Sequence, residues 1–195
     1  MKIINVEQGT PEWFACRLGK LTASDGQAIA TSGKGLETLC YEKVAEIMTG
    51  KQKPSYTNED IERGHEMEML ARNSYELETG RLVKEVGFVE LDEFTGCSPD
   101  GFVGEDGLVE IKCKSDANFV RYMYEKKVET EYNWQMQMQM FVTGRKWVDY
   151  VVFNENFTKT TQILRVDRNE NDIAKLKSGI ENGILVIKQI LNKVK

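Results

Sequence analysis

The segment Ser98-Pro99-Asp100-Gly101, followed across Gly104-Glu105-Asp106-Gly107 by Leu108-Val109-Glu110-Ile111-Lys112-Cys113, constrains the fold of this chain more than any other stretch. An Asp-Gly pair between two apolar runs is a strong hairpin signal, so the segment folds back antiparallel. Along the second arm side chains alternate between faces, which sends Glu110 and Lys112 one way and Val109 and Ile111 the other. The reversal carries Asp100 toward Glu110. A three-residue loop with Gly107 in the left-handed region is the favoured closure; it sets Asp100 opposite Lys112 with all three polar groups on one face. A two-residue loop would set Asp100 opposite Ile111 instead.

Two carboxylates and a main-chain carbonyl, that of Ile111, are the hard oxygen donors that Mg²⁺ prefers, with positions left for water and a phosphate oxygen. A cation held there lowers the pKa of water and offsets charge on phosphorus, and Lys112 adds a compact positive charge. By itself Glu-x-Lys is the pattern of a surface ion pair. Asp100 across the turn gives it the character of a metal-dependent, phosphodiester-cleaving site.

At 195 residues and 41% hydrophobic content, the chain suits one domain over residues 1–195 with a sizeable core. The first ten residues lack the apolar stretch of a signal peptide and no run approaches membrane-span length, so a soluble, intracellular protein is expected. Cys16, Cys40, Cys97 and Cys113 are scattered without a Cys-x-x-Cys pair. That spacing argues against zinc and leaves reduced, mostly buried thiols. A net charge of -5 speaks against a nucleic-acid binder. The local groups Arg17/Lys20, Lys112/Lys114/Arg121, Lys126/Lys127 and Arg145/Lys146 soften that objection and point to a basic channel on an acidic body.

Thr10-Pro11-Glu12-Trp13 carries a capping hydroxyl, proline at the first helical position and an early carboxylate, so a helix runs to Leu18 and stops at Gly19. A second helix begins at Thr22-Ala23-Ser24-Asp25. Apolar residues at helical spacing predict helices over Leu36–Met48 and Asn58–Glu78, ended by Gly50 and Gly80. Strands are expected within Arg81–Glu90 and Thr95–Cys113, then helices at Asn118–Lys127 and Thr130–Val142, a strand pair at Trp147–Phe153 and Thr160–Val166, and an amphipathic surface helix over Asn171–Lys193. The run Gln135-Met136-Gln137-Met138-Gln139-Met140 alternates with period two and by pattern alone fits a half-buried strand, although Gln and Met are good helix formers. This order predicts an α/β fold with a central mixed β-sheet flanked by helices.

Four blocks in this order resemble the PD-(D/E)XK nuclease superfamily, and within it the lambda exonuclease or YqaJ-like phage recombinases. They are Trp13 through Arg17-Leu18-Gly19 to Thr22-Ala23-Ser24; Gly64 to Glu68 with Ala71-Arg72; Cys97-Ser98-Pro99-Asp100-Gly101 to Glu110-Ile111-Lys112-Cys113; and Tyr132 to Gln135-Met136-Gln137. The resemblance implies a restriction-endonuclease-like core. It implies Asp100 and Glu110 as metal carboxylates with the Ile111 carbonyl, Lys112 as the catalytic lysine, Glu68 as a helical carboxylate reaching the same one or two Mg²⁺ ions (Mn²⁺ as substitute), and Gln135 as holder of the water or scissile phosphate. Read from the sequence alone, Glu68 fits equally an exposed carboxylate paired with Arg72 one turn on. Arg17, Ser24 and Ser98 match a pocket for the 5′-phosphate of a DNA end, and Tyr132 and Gln137 lie on the DNA side. Taken singly, Ser24 reads as a helix cap and Arg17 as a solvated cation; Trp13 reads as a core anchor, or else as a platform on which a terminal base stacks. Lys114, Arg121, Lys126 and Lys127 are candidate backbone contacts, and His65 stays outside the site.

The activity this implies is 5′→3′ digestion of one strand of a duplex end, leaving a 3′ overhang for recombination. A homotrimer, a single-strand annealing partner and a cytoplasmic phage or prophage setting come with the resemblance. A Cas4-like reading needs a C-terminal cysteine group, and no Cys follows Cys113. The same acidic pattern also fits a restriction-type endonuclease that cuts internally, or a non-catalytic module that binds DNA ends.

Overall fold

The computed structural model describes residues 1–52 and 58–194, with side chains described throughout except at 58–65, so His65 lies outside the described side chains. The order is β1 (Lys2–Ile4), α1 (Pro11–Arg17), β2 (Leu21–Thr22), a 3₁₀ turn (Ala23–Asp25), α2 (Gly26–Thr31), α3 (Lys34–Thr49), α4 (Asn58–Thr79), β3 (Val83–Lys84), β4 (Phe88–Asp92), β5 (Thr95–Cys97), β6 (Gly101–Val103), β7 (Gly107–Cys113), α5 (Asp116–Glu125), α6 (Thr130–Thr143), β8 (Trp147–Phe153), β9 (Thr161–Asp167) and α7 (Glu170–Val194). The Thr10 hydroxyl accepts the Trp13 amide at 3.3 Å to start α1, and Gly50 and Gly80 stop α3 and α4 with φ of 65° and 66°.

The α/β class holds, but the strands divide into two mixed sheets, β1-β4-β5-β2 and β3-β6-β7-β8-β9. The chain leaves the first sheet at β5 and enters the second at β6 through Ser98-Pro99-Asp100. Proline has no amide for a ladder, which suits a break at this point. In each sheet one pairing is parallel, β2 with β5 and β7 with β8. The two- and three-residue strands β1 and β2 have no counterpart in the periodicity, being too short to show one.

β7 is clamped on both faces. Leu108 joins Val148, Tyr150, Val152 and the methionines of α6 in the larger core cluster, while Val109 and Ile111 join Val151, Phe153 and Ala71 and Tyr75 of α4 in a second. The alternation read from the sequence is therefore real, yet neither face is open to water over most of the strand. Across the hairpin Val103 pairs with Gly107 and Gly101 with Val109, so the loop has three residues but begins at Gly104. Gly104, with open space around it, takes the positive φ of 57°. Gly107 instead lies beneath the Trp147 indole, where a Cβ would overlap the ring. Extending the register puts Asp100 across from Glu110 rather than Lys112. A displacement of two residues preserves facing, so the three polar groups still share a side.

α6 is buried all round: Met136, Gln137, Met138, Gln139 and Met140 are each 2% exposed or less. The period-two alternation marks neither a strand nor an amphipathic helix but a central helix whose glutamines all find partners. α7 lays Ile173, Leu176, Ile180 and Ile187 on α2 and α3, and Gly179 lets it approach the Ile29 carbonyl. Among the described residues no helix is long and apolar enough to cross a membrane.

A Cβ at Gly179 would overlap main chain that cannot swing aside. Gly179→Ala is therefore expected to lower unfolding free energy by about 1–3 kcal/mol in a urea titration, the overpacking exceeding the roughly 1 kcal/mol that alanine gains in a helix.

Candidate active site

Glu110, 1% exposed, receives three donors: Gln135 Nε2 at 2.6 Å and Lys112 Nζ at 2.7 Å on Oε1, and Gln139 Nε2 at 2.5 Å on Oε2. Residues four apart on a helix share a face, so Gln135 and Gln139 reach the same carboxylate from α6. Asp100 accepts the Ile111 amide at 2.6 Å on Oδ2. That bond is available because the pairing of β6 with β7 stops at Gly101 and Val109, leaving the β7 main chain beyond it open on this edge. Amide and carbonyl of one strand residue point to the same edge, so the Ile111 carbonyl shares the side occupied by Asp100.

Burial raises the Asp100 pKa well above the usual carboxylate range, and the charges of Glu110 and Glu68 add to the effect; Lys112 and the Ile111 amide only partly oppose it. Burial works against the Lys112 ammonium, but Glu110 and Asp100 outweigh it and hold its pKa above the ordinary lysine value. Lys112 is thus a fixed cation. Its Nζ stands 4.7 Å from the Tyr132 ring centre, and Lys114 Nζ stands 5.0 Å from it. Desolvation beside the cavity, with the charges of Glu68 and Asp100, raises the Cys113 thiol pKa above its ordinary value, although the residue as a whole is exposed.

These groups line a cavity of about 820 Å³ that also takes in Glu68 from α4 and, at its other end, Arg17, Ser24 and Ser98. Glu68 meets both of its readings: it lines the cavity and accepts Arg72 Nη2 at 2.9 Å, and Arg72 also pairs with Glu85. Ser98, two residues before Asp100, joins the two ends. Its hydroxyl accepts Trp13 Nε1 at 2.8 Å and Arg17 Nη1 at 3.5 Å, and Arg17 Nη2 reaches Thr22 and Ser24 hydroxyls at 3.4 Å. Burial lowers the Arg17 pKa, against the pull of Asp25, and its guanidinium lies 4.4 Å over the Trp13 ring. A desolvated cation ringed by hydroxyls is suited to an anion.

Six carboxylates (Asp25, Glu46, Glu68, Asp100, Glu110 and Glu131) line the cavity against three cations, Arg17, Lys43 and Lys112. Among the described residues the cavity is therefore not the expected basic channel, and its acidic end is suited to a divalent cation. Among the described residues no three His, Cys, Asp or Glu groups form a cage for an ion. Such an open set fits Mg²⁺, which is commonly held by one or two carboxylates and completed by water and phosphate. Asp100, Glu110 and the Ile111 carbonyl would hold it, with Glu68 alongside.

Asp100, Glu110, Ile111, Lys112, Glu68, Gln135, Tyr132, Arg17, Ser24 and Ser98 converge on one cavity, whereas Gln137 does not. Two residues along a helix is a turn of about 200°, which points Gln137 away from Gln135. It donates to the Asp167 carbonyl and accepts the Asn169 amide, both at 2.9 Å, tying α6 to the segment before α7. Lys114 is paired with Glu129 at 2.5 Å, while Arg121, Lys126 and Lys127 are exposed outside the cavity. Arg145 and Lys146 bind the hairpin through the Gly104 and Gly107 carbonyls and Asp106. Cys40 and Cys97 are buried, Cys16 half-buried and Cys113 exposed, all as free thiols. Ser24 is not the helix cap; Thr22 caps the 3₁₀ turn in a capping box, with the Asp25 carboxylate accepting the Thr22 amide and hydroxyl at 2.9 Å. Trp13 is no mere core anchor, since it lines the cavity. Gln139, Lys43, Glu46 and Gln8 were not legible as site residues; of these only Gln139 carried a signal, its spacing of four from Gln135.

The family model of the YqaJ-like viral recombinase domain matches residues 12–146, which include Arg17, Ser24, Glu68, Ser98, Asp100, Glu110, Lys112 and Gln135. An alkaline exonuclease, LHK-Exo, from Laribacter hongkongensis is 33% identical, with a TM-score of 0.87 over 95% of this chain and 96% of that one. A second structure of LHK-Exo, in complex with dAMP, aligns at 34% identity, a TM-score of 0.87 and the same coverage. A phage-related exonuclease from Haemophilus somnus 129PT shares the fold, with a TM-score of 0.73 at 17% identity over 90% of this chain and 96% of that one. No curated protein matches the chain significantly. With the family model spanning more than two thirds of its length, the chain belongs to the YqaJ-like viral recombinase family.

Proposed function

We propose that this protein is a Mg²⁺-dependent exonuclease that digests one strand of duplex DNA ends 5′→3′ and leaves a 3′ overhang for recombination. The observation that carries the reading is the single cavity with two unlike ends, joined by Ser98: a buried carboxylate pair with Lys112, and a guanidinium ringed by Ser24, Thr22 and Ser98 hydroxyls. A terminal phosphate seated on Arg17 fixes how far the strand enters, which selects a bond near the end instead of an internal one. The complex of LHK-Exo with dAMP supports release of single nucleotides. The viral recombinase family supports a phage or prophage setting in a bacterial host; a homotrimer working beside a single-strand annealing protein in the cytoplasm is part of the same proposal.

When bound, Mg²⁺ supplies a more acidic water and neutralises charge on phosphorus; Mn²⁺ is a substitute with the same donor preferences. The protein supplies the rest. Asp100 and Glu110 present oxygens that main-chain and side-chain donors have already oriented. Lys112 offsets charge on the non-bridging phosphate oxygens. Gln135 lines the cavity with an amide that can pass from Glu110 to water or phosphate, and Tyr132 keeps Lys112 over its ring.

Linear duplexes are expected to be degraded in Mg²⁺ and to survive in chelator, with closed circles left intact; cutting of circles would assign an endonuclease. Lys112→Ala should lower kcat by about 10²–10³-fold with duplex-end binding retained in fluorescence anisotropy. Arg17→Ala should cut the preference for a 5′-phosphorylated over a hydroxyl end by about 10- to 100-fold, the loss of a charge-assisted hydrogen bond. Because the Asp100 pKa is raised in the folded state, the stability this group contributes is full below the unfolded aspartate pKa and is lost as pH rises through the raised value. A cation at the site offsets that loss. The increase in Tm on adding Mg²⁺ should therefore be larger at pH 8.5 than at pH 5.5, and an equal increase at both would show that a proton on Asp100 does not compete with the cation in this range.

A further inference from the structure

Gln139 is fully buried in α6, and its Nε2 makes the 2.5 Å bond to Glu110 Oε2. Its own Oε1 is buried with no hydrogen-bond partner. Turning the amide over would pair Oε1 with a carboxylate oxygen, so the observed orientation is the one the site enforces. A buried carbonyl left unpaired opposes folding. A methionine, like its neighbours at positions 136, 138 and 140, would fill similar space without that penalty. Its value to the protein therefore lies in what Nε2 holds.

The three donors on Glu110 differ in their freedom. Gln135 and Lys112 line the cavity and share Oε1, so each can turn toward water or phosphate; Gln139 does not line it, and its Nε2 donates to Glu110. Oε1 is consequently the oxygen that can exchange its partners, and Oε2 the one that stays tethered. We propose that Gln139 is a positioning residue that locks Glu110 by Oε2 and so presents Oε1 for a divalent cation, leaving Gln135 free to serve the substrate. This rests on the reading of Asp100 and Glu110 as the cation site.

Mg²⁺ titration by isothermal calorimetry, with no DNA present, tests it on wild type, Gln139→Met and Gln139→Leu. Outer-shell partners of metal ligands typically contribute 10- to 100-fold to affinity, so the Mg²⁺ Kd should rise by about that factor in both variants. Both variants remove the unpaired carbonyl but also leave Glu110 Oε2 without its donor, so thermal midpoints should fall while the folded far-UV circular dichroism spectrum is kept. At saturating Mg²⁺ the KM for duplex ends should be unchanged. Wild-type Mg²⁺ affinity in either folded variant would overturn the proposal, as would failure of both variants to fold, which would make Gln139 a purely structural residue. Absence of Mg²⁺ binding by the wild type would instead overturn the cation site itself.

Discussion

Glu110 sits in the middle of β7 with almost no water around it, and the surrounding structure can be traced from the need to keep that carboxylate partnered. An unpaired buried charge is worth several kcal/mol of destabilisation. Here the solution is spread over three elements of the chain: Lys112 two residues on along the strand, and Gln135 and Gln139 from a helix that must lie directly against the sheet. That requirement places α6 in the centre of the fold rather than on its surface, which in turn calls for a cover of α2 and α7 on its far side. The methionines between the glutamines fill the resulting space; their flexible thioethers suit an irregular interior.

The same logic separates what the sequence discloses from what it conceals. The strand Leu108–Cys113 and its acidic pattern are legible because side chains in a strand alternate whatever the tertiary setting. The hairpin closure was not, since Gly104 and Gly107 both offer the left-handed conformation and the choice falls to Trp147, forty residues away, whose indole occupies the space over Gly107. Gln137 shows the opposite failure: the resemblance of its block to the family set it on the DNA side, and helical rotation sends it to the segment before α7. Lys43 and Glu46 could not have been found, because only the packing of α3 brings them to the cavity beside Arg17. Resemblance to a family located the chemistry, and the packing decided which neighbours it acquired.

Charge provides the last connection between site and substrate. A chain of net charge -5 whose cavity holds twice as many carboxylates as cations repels a phosphodiester over most of its approach. The positive groups are few and each is held: Lys112 against Glu110, Lys43 within 3.8 Å of Asp25 and 3.5 Å of Glu46, Arg17 over Trp13. In the proposed function a divalent ion held by Asp100 and Glu110 would reverse the sign at the acidic end and draw the phosphate oxygens to it. On this account cation and DNA end bind interdependently, each lowering the cost of the other.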